Sequence, residues 1–405
     1  MGICIKEALR RITKNIAKVS FEIIPIENAK DRVSAQEIKA KYSLPPFNNS
    51  AMDGYAINLD DANKKVKVID AIFAGSAKQT VFKEGQSVKI MTGARVPSSA
   101  SAVIPHELVE ILDDDFIQLP NDIRQNQHIR FTGEDILKDD IILNDGDEIN
   151  FATITMLSSQ GITHIKVYRQ PSVSIFTSGE ELKLHYEQVK EYQIYNSNTP
   201  TLLARAKELG ANVVFSGMAN DSVGSLRDMI TNSLHTDLII TSGGVSVGEA
   251  DFTKEAFETF DMEILFDGIT IKPGKPTIFG KIGNTYILNL PGNPLAAALI
   301  FEIFGKIILQ KLTGNKNIYH NTLVTKMGED MNNKKGRTTL IPGFFDGEYF
   351  NPSDKRSPGM VGVLHNCNAI MVLNKQNEFL AKDTTVKILP INWKFFTDKE
   401  KDFFN

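Results

Sequence analysis

The stretch DLIITSGGVSVGEAD, residues 237–251, joins a short apolar run to a loop rich in glycine, serine and acid. The run DLIIT has the length and composition of a buried strand. A turn needs one glycine, whereas this strand is followed by two glycines, two serines and two carboxylates. Gly243 and Gly244 let backbone N–H groups approach an oxyanion, and Ser242 and Ser246 add hydroxyl donors. The stretch is therefore a candidate for a strand whose end binds a phosphate-like anion.

Around this stretch, the chain alternates between strand-like and helix-like patterns from residue 171 onward. Strands are predicted at SVSIFT, NVVFSG, DLIIT, TIFGK and TYILNL. Helices are predicted at about 199–209, at about 222–234, from about 251 and at about 294–312. Such alternation is typical of a doubly wound, mostly parallel α/β sheet with helices on both faces.

The flanking regions have different patterns. A first amphipathic helix is predicted by apolar residues that recur every three or four positions, namely Ile5, Leu9, Ile12, Ile16 and Val19. Residues 149–161 predict a helix with Asn150 as its N-cap. Residues 46–129 contain short strand-like runs broken by Gly, Pro and Asp, which predicts a small β domain. Strand-like runs without helices return after residue 316 and predict a second β domain.

The composition of the 405-residue chain excludes several classes of protein. An apolar content of 42% with 23% charged residues is ordinary for a soluble globular protein. The net charge of −4 disfavours nucleic acid as a main partner. Two cysteines, Cys4 and Cys367, cannot form a disulfide framework, which favours a reducing cytoplasm. The longest apolar run, residues 295–301, is too short to span a membrane.

Four unusual loops follow predicted strands: SGEEL (178–182) follows SVSIFT, SGGVSVGEAD (242–251) follows DLIIT, KPGKP (272–276) follows GITI, and PGNP (291–294) follows TYILNL. Ligands of parallel α/β sheets bind beyond the carboxyl ends of the strands, so these loops are expected to meet at one edge. In KPGKP, two lysines flank a rigid Pro-Gly corner and would attract a compact anion. PGNP precedes a helix, whose N-terminus favours phosphate. Each loop alone is more often an ordinary turn, and their joint placement favours a site.

Acidic residues in or near these loops complement the cations. Carboxylates beside a phosphate site usually imply Mg²⁺ between them. The acidic residues concerned are Glu180, Glu181, Asp221, Glu249 and Asp251.

The motifs NNSAMDGYA, IMTGARVP, TGED, SGGVSVGEADFTK, IKPGKP and LPGNP occur in this order along the chain. In order and spacing, the chain resembles the molybdopterin molybdenumtransferase family, MoeA and the E domain of gephyrin, over nearly its whole length. The resemblance implies four domains. These are an elongated N-terminal domain (1–45 and 130–170), an inserted β domain (46–129), a molybdopterin-binding α/β domain (171–316) and a C-terminal β-barrel-like domain (317–405).

The resemblance also implies an activity. The family takes adenylylated molybdopterin and molybdate, and releases AMP and molybdenum cofactor with the help of Mg²⁺. It works as a homodimer whose sites are shared between subunits. A molybdopterin adenylyltransferase and acceptor molybdoenzymes are expected as further partners, with no nucleic acid and no membrane.

The motifs carry the family's site residues onto this chain. The catalytic set implied is Asp53, Thr92, Glu181, Asp221 and Asp251, of which the last three would hold Mg²⁺. The set implied for the pterin and AMP phosphates is Ser242, Gly243, Gly244, Ser246, Pro291, Gly292 and Asn293. Lys272, Lys275 and Arg337 would bind molybdate.

The chain departs from the family pattern at several positions. Asn48 stands where Asp is common, Gly268 where some members carry a basic residue, and Ala296 where serine is frequent. The segment 357–373 fits the family's serine-containing segment only loosely, so its molybdate serine is not assigned. Two alternatives are a molybdopterin adenylyltransferase, whose pterin-binding domain resembles residues 171–316, and a non-enzymatic scaffold, since gephyrin's E domain also binds receptor peptides. The additional domains and NNSAMDGYA favour the molybdenumtransferase.

Overall fold

A computed structural model describes residues 2–113, 115–243, 252–392, 400 and 402. The chain divides into two compact units. The larger unit comprises Met1–Ala35, Asp145–Asn150 and His164–Asn405, and the smaller unit comprises Gln36–Asn144 and Phe151–Thr163. The division into four domains stays a prediction. Within the described residues, no helix is long and apolar enough to cross a membrane.

Apart from α8, which lies where only strands are predicted, the helices lie close to their predicted positions. They are α1 (Ile5–Asn15), α2 (Phe151–Ser159), α3 (Asn198–Glu208), α4 (Val223–Ser233), α5 (Phe252–Glu258), α6 (Pro294–Ile300), α7 (Lys306–Leu312) and α8 (Gly362–His365). A π-helical turn, Phe301–Gly305, joins α6 to α7, so the predicted helix at 294–312 is continuous. The first helix ends at Asn15, and Ile16 and Val19 continue its buried stripe beyond the helix.

The strands of the smaller unit are β2 (Ile38–Lys39), β3 (Asn49–Ser50), β4 (Gly54–Ile57), β5 (Lys65–Ile72), β6 (Gln86–Ile90), β7 (Ala102–Pro105), β8 (Glu110–Asp113), β9 (Phe116–Gln118), β10 (Ile129–Arg130) and β11 (Ile141–Leu143). Six of them form one sheet in the order β7-β4-β6-β5-β9-β8, in which only β5 and β6 pair in parallel. The β structure predicted for residues 46–129 is thus confirmed.

The strands of the larger unit are β1 (Phe21–Pro25), β12 (His164–Tyr168), β13 (Ser172–Ser178), β14 (Leu182–Lys183), β15 (Ile194–Tyr195), β16 (Asn212–Ala219), β17 (Leu238–Ser242), β18 (Glu263–Asp267), β19 (Ile271–Lys272), β20 (Ile278–Ile282), β21 (Thr285–Leu290), β22 (Leu323–Met327), β23 (Met331–Asn332), β24 (Thr338–Phe345), β25 (Tyr349–Pro352), β26 (Ala369–Leu373), β27 (Phe379–Leu380) and β28 (Thr385–Pro390). They include two six-stranded sheets.

The first of these sheets is the predicted α/β sheet, in the order β16-β13-β17-β21-β20-β18. The pairs β16–β13, β13–β17 and β17–β21 are parallel, whereas β20 runs antiparallel to both of its neighbours. Every residue of β17 and β21 is buried. Continuous burial is typical of parallel strands covered on both faces. The mostly parallel sheet is confirmed, with an antiparallel strand near one edge.

Helices cover both faces of this sheet, as predicted. Ile175 and Ile240 belong to a core that includes residues of α1, α3, α6 and α7. The neighbouring residues Phe176 and Ile239 belong to a second core, formed with α4 and α5. Because successive residues of a strand point to opposite faces, the near-unbroken apolar runs of the sequence serve both cores.

The second six-stranded sheet forms the predicted C-terminal barrel. Strands β24, β25, β22, β28 and β26 are neighbours in this order, and β26 pairs again with β24. The five strands therefore close on themselves, which leaves no free edge among them. Strand β19 adds to this sheet in parallel with β24.

A carboxylate clamp joins the start of β13 to Asp237, the residue that precedes β17. Both Nη atoms of Arg169 donate to the carboxylate of Asp237 at 2.6 Å. The backbone N–H and the hydroxyl of Ser172 each donate to the same carboxylate at 2.7 Å. Burial of Asp237 opposes its ionisation, but these hydrogen bonds outweigh burial and hold the pKa of the carboxyl below its usual value. The clamp fixes the register between β13 and β17.

We expect Asp237→Asn to lower the free energy of unfolding by about 2 kcal/mol at pH 7, because charged hydrogen bonds are lost. A depressed folded pKa contributes stability above the unfolded pKa, about 3.9, and this contribution is lost as the pH falls through the folded pKa. The difference from wild type should therefore shrink below about pH 4. Urea unfolding at both pH values measures it.

The matched control is Glu378→Gln, which breaks the exposed ion pair between Lys335 and Glu378. Its effect should stay below about 1 kcal/mol, since exposed pairs contribute little. Equal stability of the Asp237→Asn variant and wild type at pH 7 would contradict a stabilising clamp.

Candidate active site

The carboxyl ends of the α/β strands line up along one edge of the sheet. Across the sheet, Thr177 of β13 pairs with Ser242 of β17, and Ser242 pairs with Leu290 of β21. Farther along, Asn289 pairs with Ile278 of β20, which pairs with Asp267 of β18. The loops that follow β13, β17 and β21 therefore start side by side, as the sequence predicts.

Hydrogen bonds hold two of these loops together. The Nδ2 of Asn198, the first residue of α3, donates to Ser242 Oγ and to the carbonyl oxygen of Gly292, both at 2.8 Å. Ser242 Oγ in turn donates to the carbonyl oxygen of Pro291 at 2.9 Å. Ser242, Pro291 and Gly292, all predicted to bind substrate, are thus brought together. The hydroxyl of Ser242 is engaged with the protein in this arrangement.

Gly243 makes the closest backbone approach at this edge. Its φ of +103° is unfavourable for other residues, and a Cβ there would lie 2.6 Å from the carbonyl oxygen of Ser178. The position therefore requires glycine because the loop of β17 packs on that of β13, and the approach of Gly243 to an oxyanion stays a prediction. The remaining predicted residues of this loop, Gly244, Ser246, Glu249 and Asp251, lie outside the described residues.

Two acidic residues predicted for the site come from neighbouring loops. The backbone N–H of Glu180 donates to Asp221 Oδ2 at 3.3 Å. Glu181 follows directly, and its carboxylate lies over Gly179, where a Cβ would be 2.9 Å from Oε2. Asp221 and the Glu180–Glu181 loop are therefore adjacent.

The chemistry of these carboxylates indicates whether they could hold Mg²⁺. Among the described residues, no group of three or more His, Cys, Asp or Glu could hold a metal ion. Mg²⁺ usually needs only one or two carboxylates, with substrate phosphates and water completing its coordination. Glu181 and Asp221 offer the hard oxygen donors that such a site requires, so the residues fit a metal shared with the substrate.

The KPGKP loop reaches the same edge by an unexpected route. We expect GITI to be a strand of the α/β sheet, but Ile271 and Lys272 pair with Thr338 and Thr339 of the barrel. The strand of the α/β sheet is β18, which ends at the carboxyl edge because it runs parallel to β21. The sequence prediction was wrong here because a two-residue pairing with a distant strand leaves no local pattern.

This pairing brings the backbone of Arg337 beside the start of the KPGKP loop, which supplies the other two cations predicted for molybdate. Arg337 immediately precedes Thr338, the partner of Ile271, and neighbouring strands lie about 4.8 Å apart. Lys272, Lys275 and Arg337 are all exposed. The Lys275 backbone is fixed, since its carbonyl oxygen accepts from the N–H groups of Ile269 and Thr277, both at 3.0 Å.

The C-terminal segment covers the start of α6. The carbonyl oxygen of Pro358 accepts from the N–H groups of Leu295 at 3.0 Å and Ala296 at 3.4 Å. The helix N-terminus predicted for phosphate is therefore occupied by the chain itself. The same contact places the exposed Ser357 beside the PGNP loop, although the sequence alone does not assign this serine.

In the smaller unit, Asp53 and Thr92 contact each other, as expected for members of one site. The backbone N–H of Thr92 donates to Asp53 Oδ1 at 2.6 Å, and its hydroxyl donates to the same oxygen at 2.7 Å. These bonds hold the pKa of the Asp53 carboxyl below its usual value. The following residue must be glycine, because a Cβ at Gly54 would lie 1.9 Å from the carbonyl oxygen of Ile104.

Asn48, which departs from the family pattern, replaces an aspartate with an amide that still accepts hydrogen bonds. Its Oδ1 accepts from the backbone N–H of Thr132 at 2.9 Å and from the Thr132 hydroxyl at 3.1 Å. The contact joins the NNSAMDGYA and TGED motifs. An asparagine oxygen can fill this role because only an acceptor is needed.

Sequence reasoning missed Asn196 and Asn198. Asn196 is buried, and its Nδ2 donates to Thr177 Oγ1 and Thr199 Oγ1, both at 2.9 Å. Together the two asparagines connect the start of α3 to the ends of β13, β17 and β21. The sequence NSN before a predicted helix signals a cap, and only the tertiary structure shows that these side chains bridge separate loops.

Comparisons with known proteins agree with this architecture. A family model described as the MoeA N-terminal region, domains I and II, matches residues 3–161, and one described as a probable molybdopterin-binding domain matches residues 174–311. A molybdopterin molybdenumtransferase of Haemophilus influenzae is 34% identical over 384 residues, which cover 92% of this chain and 94% of the relative. The chain belongs to the molybdopterin molybdenumtransferase family.

Further relatives support the assignment to this family. A molybdopterin molybdenumtransferase of Staphylococcus epidermidis is 32% identical, with 92% of this chain and 91% of the relative covered. A crystal structure of the molybdopterin biosynthesis MoeA protein from Pyrococcus horikoshii has a TM-score of 0.83 and 27% identity, and covers 97% of this chain and 100% of that chain. The expected multidomain fold is confirmed.

We expect Asn198→Ala to lower the free energy of unfolding by about 1 kcal/mol, because it removes both hydrogen bonds between the loops. Asn212→Ala, at an exposed position on β16, is the control and should change it by less than about 0.5 kcal/mol. Urea unfolding of both variants measures the difference. Equal effects would show that the bridge contributes nothing specific.

Proposed function

We propose that this protein inserts molybdate into adenylylated molybdopterin, releases AMP and thereby produces molybdenum cofactor. The observation that carries the proposal is the meeting of three kinds of group at the carboxyl edge. These are the glycine-lined loops of β17 and β21, the Glu180–Glu181 loop with Asp221 bound to its backbone, and the KPGKP loop whose first lysine lies on the strand paired beside Arg337. Anion-binding backbone, carboxylates and cations match a substrate that combines a phosphate link with an oxyanion.

The reaction breaks the pyrophosphate-type link between molybdopterin phosphate and AMP. Such cleavage depends on positioning and charge neutralisation more than on covalent catalysis. The loops at Gly243 and Gly292 would hold the phosphates, because glycine lets the backbone come close to them. Asp53, kept ionised by Thr92, would orient substrate or water as a hydrogen-bond acceptor.

Molybdate is a compact dianion and suits the cationic part of the site. Lys272 and Lys275 are held near each other by the Pro-Gly corner between them. Arg337 adds a planar fork of donors. Charge-assisted hydrogen bonds from these groups would orient molybdate toward the dithiolene sulfurs of the pterin.

Mg²⁺ would be held by Glu181 and Asp221, with Asp251 as the third predicted ligand. When bound, it would neutralise charge on the phosphates of the substrate. Without the ion, the carboxylates of Glu181 and Asp221 would repel the phosphates of the substrate, since like charges repel.

The protein would act in the cytoplasm as a homodimer whose sites combine both subunits. Asp53 and Thr92 belong to the smaller unit, whereas the carboxyl edge belongs to the larger unit. A site that needs both sets is completed if one subunit supplies Asp53 to its partner. A molybdopterin adenylyltransferase would supply the substrate, and acceptor molybdoenzymes would receive the product.

The two alternatives make different predictions. A molybdopterin adenylyltransferase would form adenylyl-molybdopterin from ATP and molybdopterin, and a scaffold would bind partners without turnover. The match to the MoeA N-terminal region over residues 3–161 favours the molybdenumtransferase, because this region lies outside the pterin-binding domain.

The decisive experiment measures AMP release from adenylylated molybdopterin. We expect release to require molybdate, and a parallel titration with tungstate determines the preferred oxyanion. Lys275→Ala should raise the molybdate concentration for half-maximal release about ten- to a hundredfold, the effect of losing a charged hydrogen bond. Binding of adenylylated molybdopterin should change much less.

Lys207→Ala, an exposed lysine on α3, is the control for loss of a positive charge. If Lys275→Ala abolishes pterin binding while the molybdate dependence stays the same, the lysine serves the phosphates instead. Release without molybdate in wild type would contradict the proposed reaction.

Sharing of sites between subunits is tested by complementation. Asp53→Ala and Glu181→Gln chains should each be inactive alone. When they are mixed, part of the AMP release should return, because a heterodimer contains one site with neither change. Subunit exchange is monitored by native mass spectrometry of differently tagged chains. Complete exchange without recovery would place both residues in a single chain's site.

A further inference from the structure

Residues 182–196 form a segment that leaves the carboxyl edge and returns to it. It begins after Glu181, and its two ends pair in parallel, with Leu182 opposite Ile194. The backbone N–H of Ile194 donates to the carbonyl oxygen of Glu181 at 2.9 Å. At the far end, the buried side chain of Asn196 binds Thr177 Oγ1 on β13. Both ends are therefore fixed beside the candidate active site.

Two tight turns within this segment are closed in the same way. In the turn 184–187, the N–H of Glu187 donates to the carbonyl oxygen of Leu184 at 2.9 Å, and Glu187 Oε2 accepts from the N–H of Leu184 at 2.7 Å. In the turn 190–193, Gln193 makes the same pair of contacts with Lys190, at 2.9 Å and 3.2 Å. A side-chain acceptor thus locks each turn.

A tyrosine occupies the third position of each locked turn. Tyr186 is 73% exposed and Tyr192 is 70% exposed. The ring of His185 contacts that of Tyr186 edge-to-face, with centroids 5.2 Å apart. Solvent-exposed aromatic rings on a rigid backbone lose little conformational entropy when they bind a partner. Two such tyrosines on one segment beside the candidate active site indicate a surface that binds a planar ring.

We propose that Tyr186 and Tyr192 stack against a planar nitrogen heterocycle of the substrate, the adenine of the adenylyl group or the pterin. This proposal rests on the proposed function, because adenylylated molybdopterin carries both rings. The surface follows Glu181 directly, and Asn198, two residues after its end, binds Ser242 and Gly292. Both ends of the segment that carries the tyrosines are therefore held at the loops proposed for the phosphates.

The test measures binding of each ring separately by calorimetry, with AMP and with molybdopterin as the two ligands. Tyr186→Leu and Tyr192→Leu keep apolar bulk but remove the aromatic face. We expect one ligand to bind about tenfold more weakly to these variants, within the range measured for stacking on aromatic side chains. The ligand affected identifies the ring. Tyr186→Phe and Tyr192→Phe should bind nearly as wild type does.

Tyr319→Leu is the control, since Tyr319 is 68% exposed but lies outside the segment. Unchanged Kd for both ligands in the leucine variants would overturn the proposal, and so would equal losses in the phenylalanine variants. A change in the dimer–monomer equilibrium with unchanged ligand binding would also overturn it, and would assign the tyrosines to contact between copies. Tight, tyrosine-dependent AMP binding without molybdate-dependent AMP release would support stacking and reject the proposed function.

Discussion

Burial of the α/β sheet on both faces is the constraint from which the site follows. Strands β17 and β21 are completely buried, so their side chains are committed to the two cores. Polar groups on these strands can reach a ligand only where the strands end. The Asp237 clamp fixes β13 and β17 at their beginnings, and this register aligns Thr177, Ser242 and Leu290 at the carboxyl edge.

The site at this edge depends on close backbone approach and on a few polar bridges. Gly243 lies where a Cβ would meet the carbonyl oxygen of Ser178, so the loop of β17 packs directly on that of β13. Asn198 then ties the loop of β17 to that of β21. Small displacements of the loops would disrupt both the packing at Gly243 and the bridge made by Asn198, because hydrogen bonds weaken steeply with distance and angle.

The barrel contributes to the edge although it is remote in sequence. It supplies a partner for Ile271 and Lys272, which brings Arg337 to KPGKP, and the nearby Pro358 occupies the amides at the start of α6. The expectation of a phosphate at that helix end came from local sequence alone. In the structure, the Pro358 carbonyl oxygen from a distant segment accepts from the N–H groups of Leu295 and Ala296, which an anion at that helix end would use.

The sequence by itself determined the α/β alternation, the helices up to residue 312, the glycine positions and the family, because periodicity, turn chemistry and ordered motifs are local properties. It also indicated which loops would meet, since carboxyl ends of parallel strands share an edge. Only the tertiary structure decided that Asn196 and Asn198 bridge loops, that β19 joins the barrel and that Pro358 covers α6. Those contacts join residues far apart in the chain, and no local pattern records which distant group satisfies a donor.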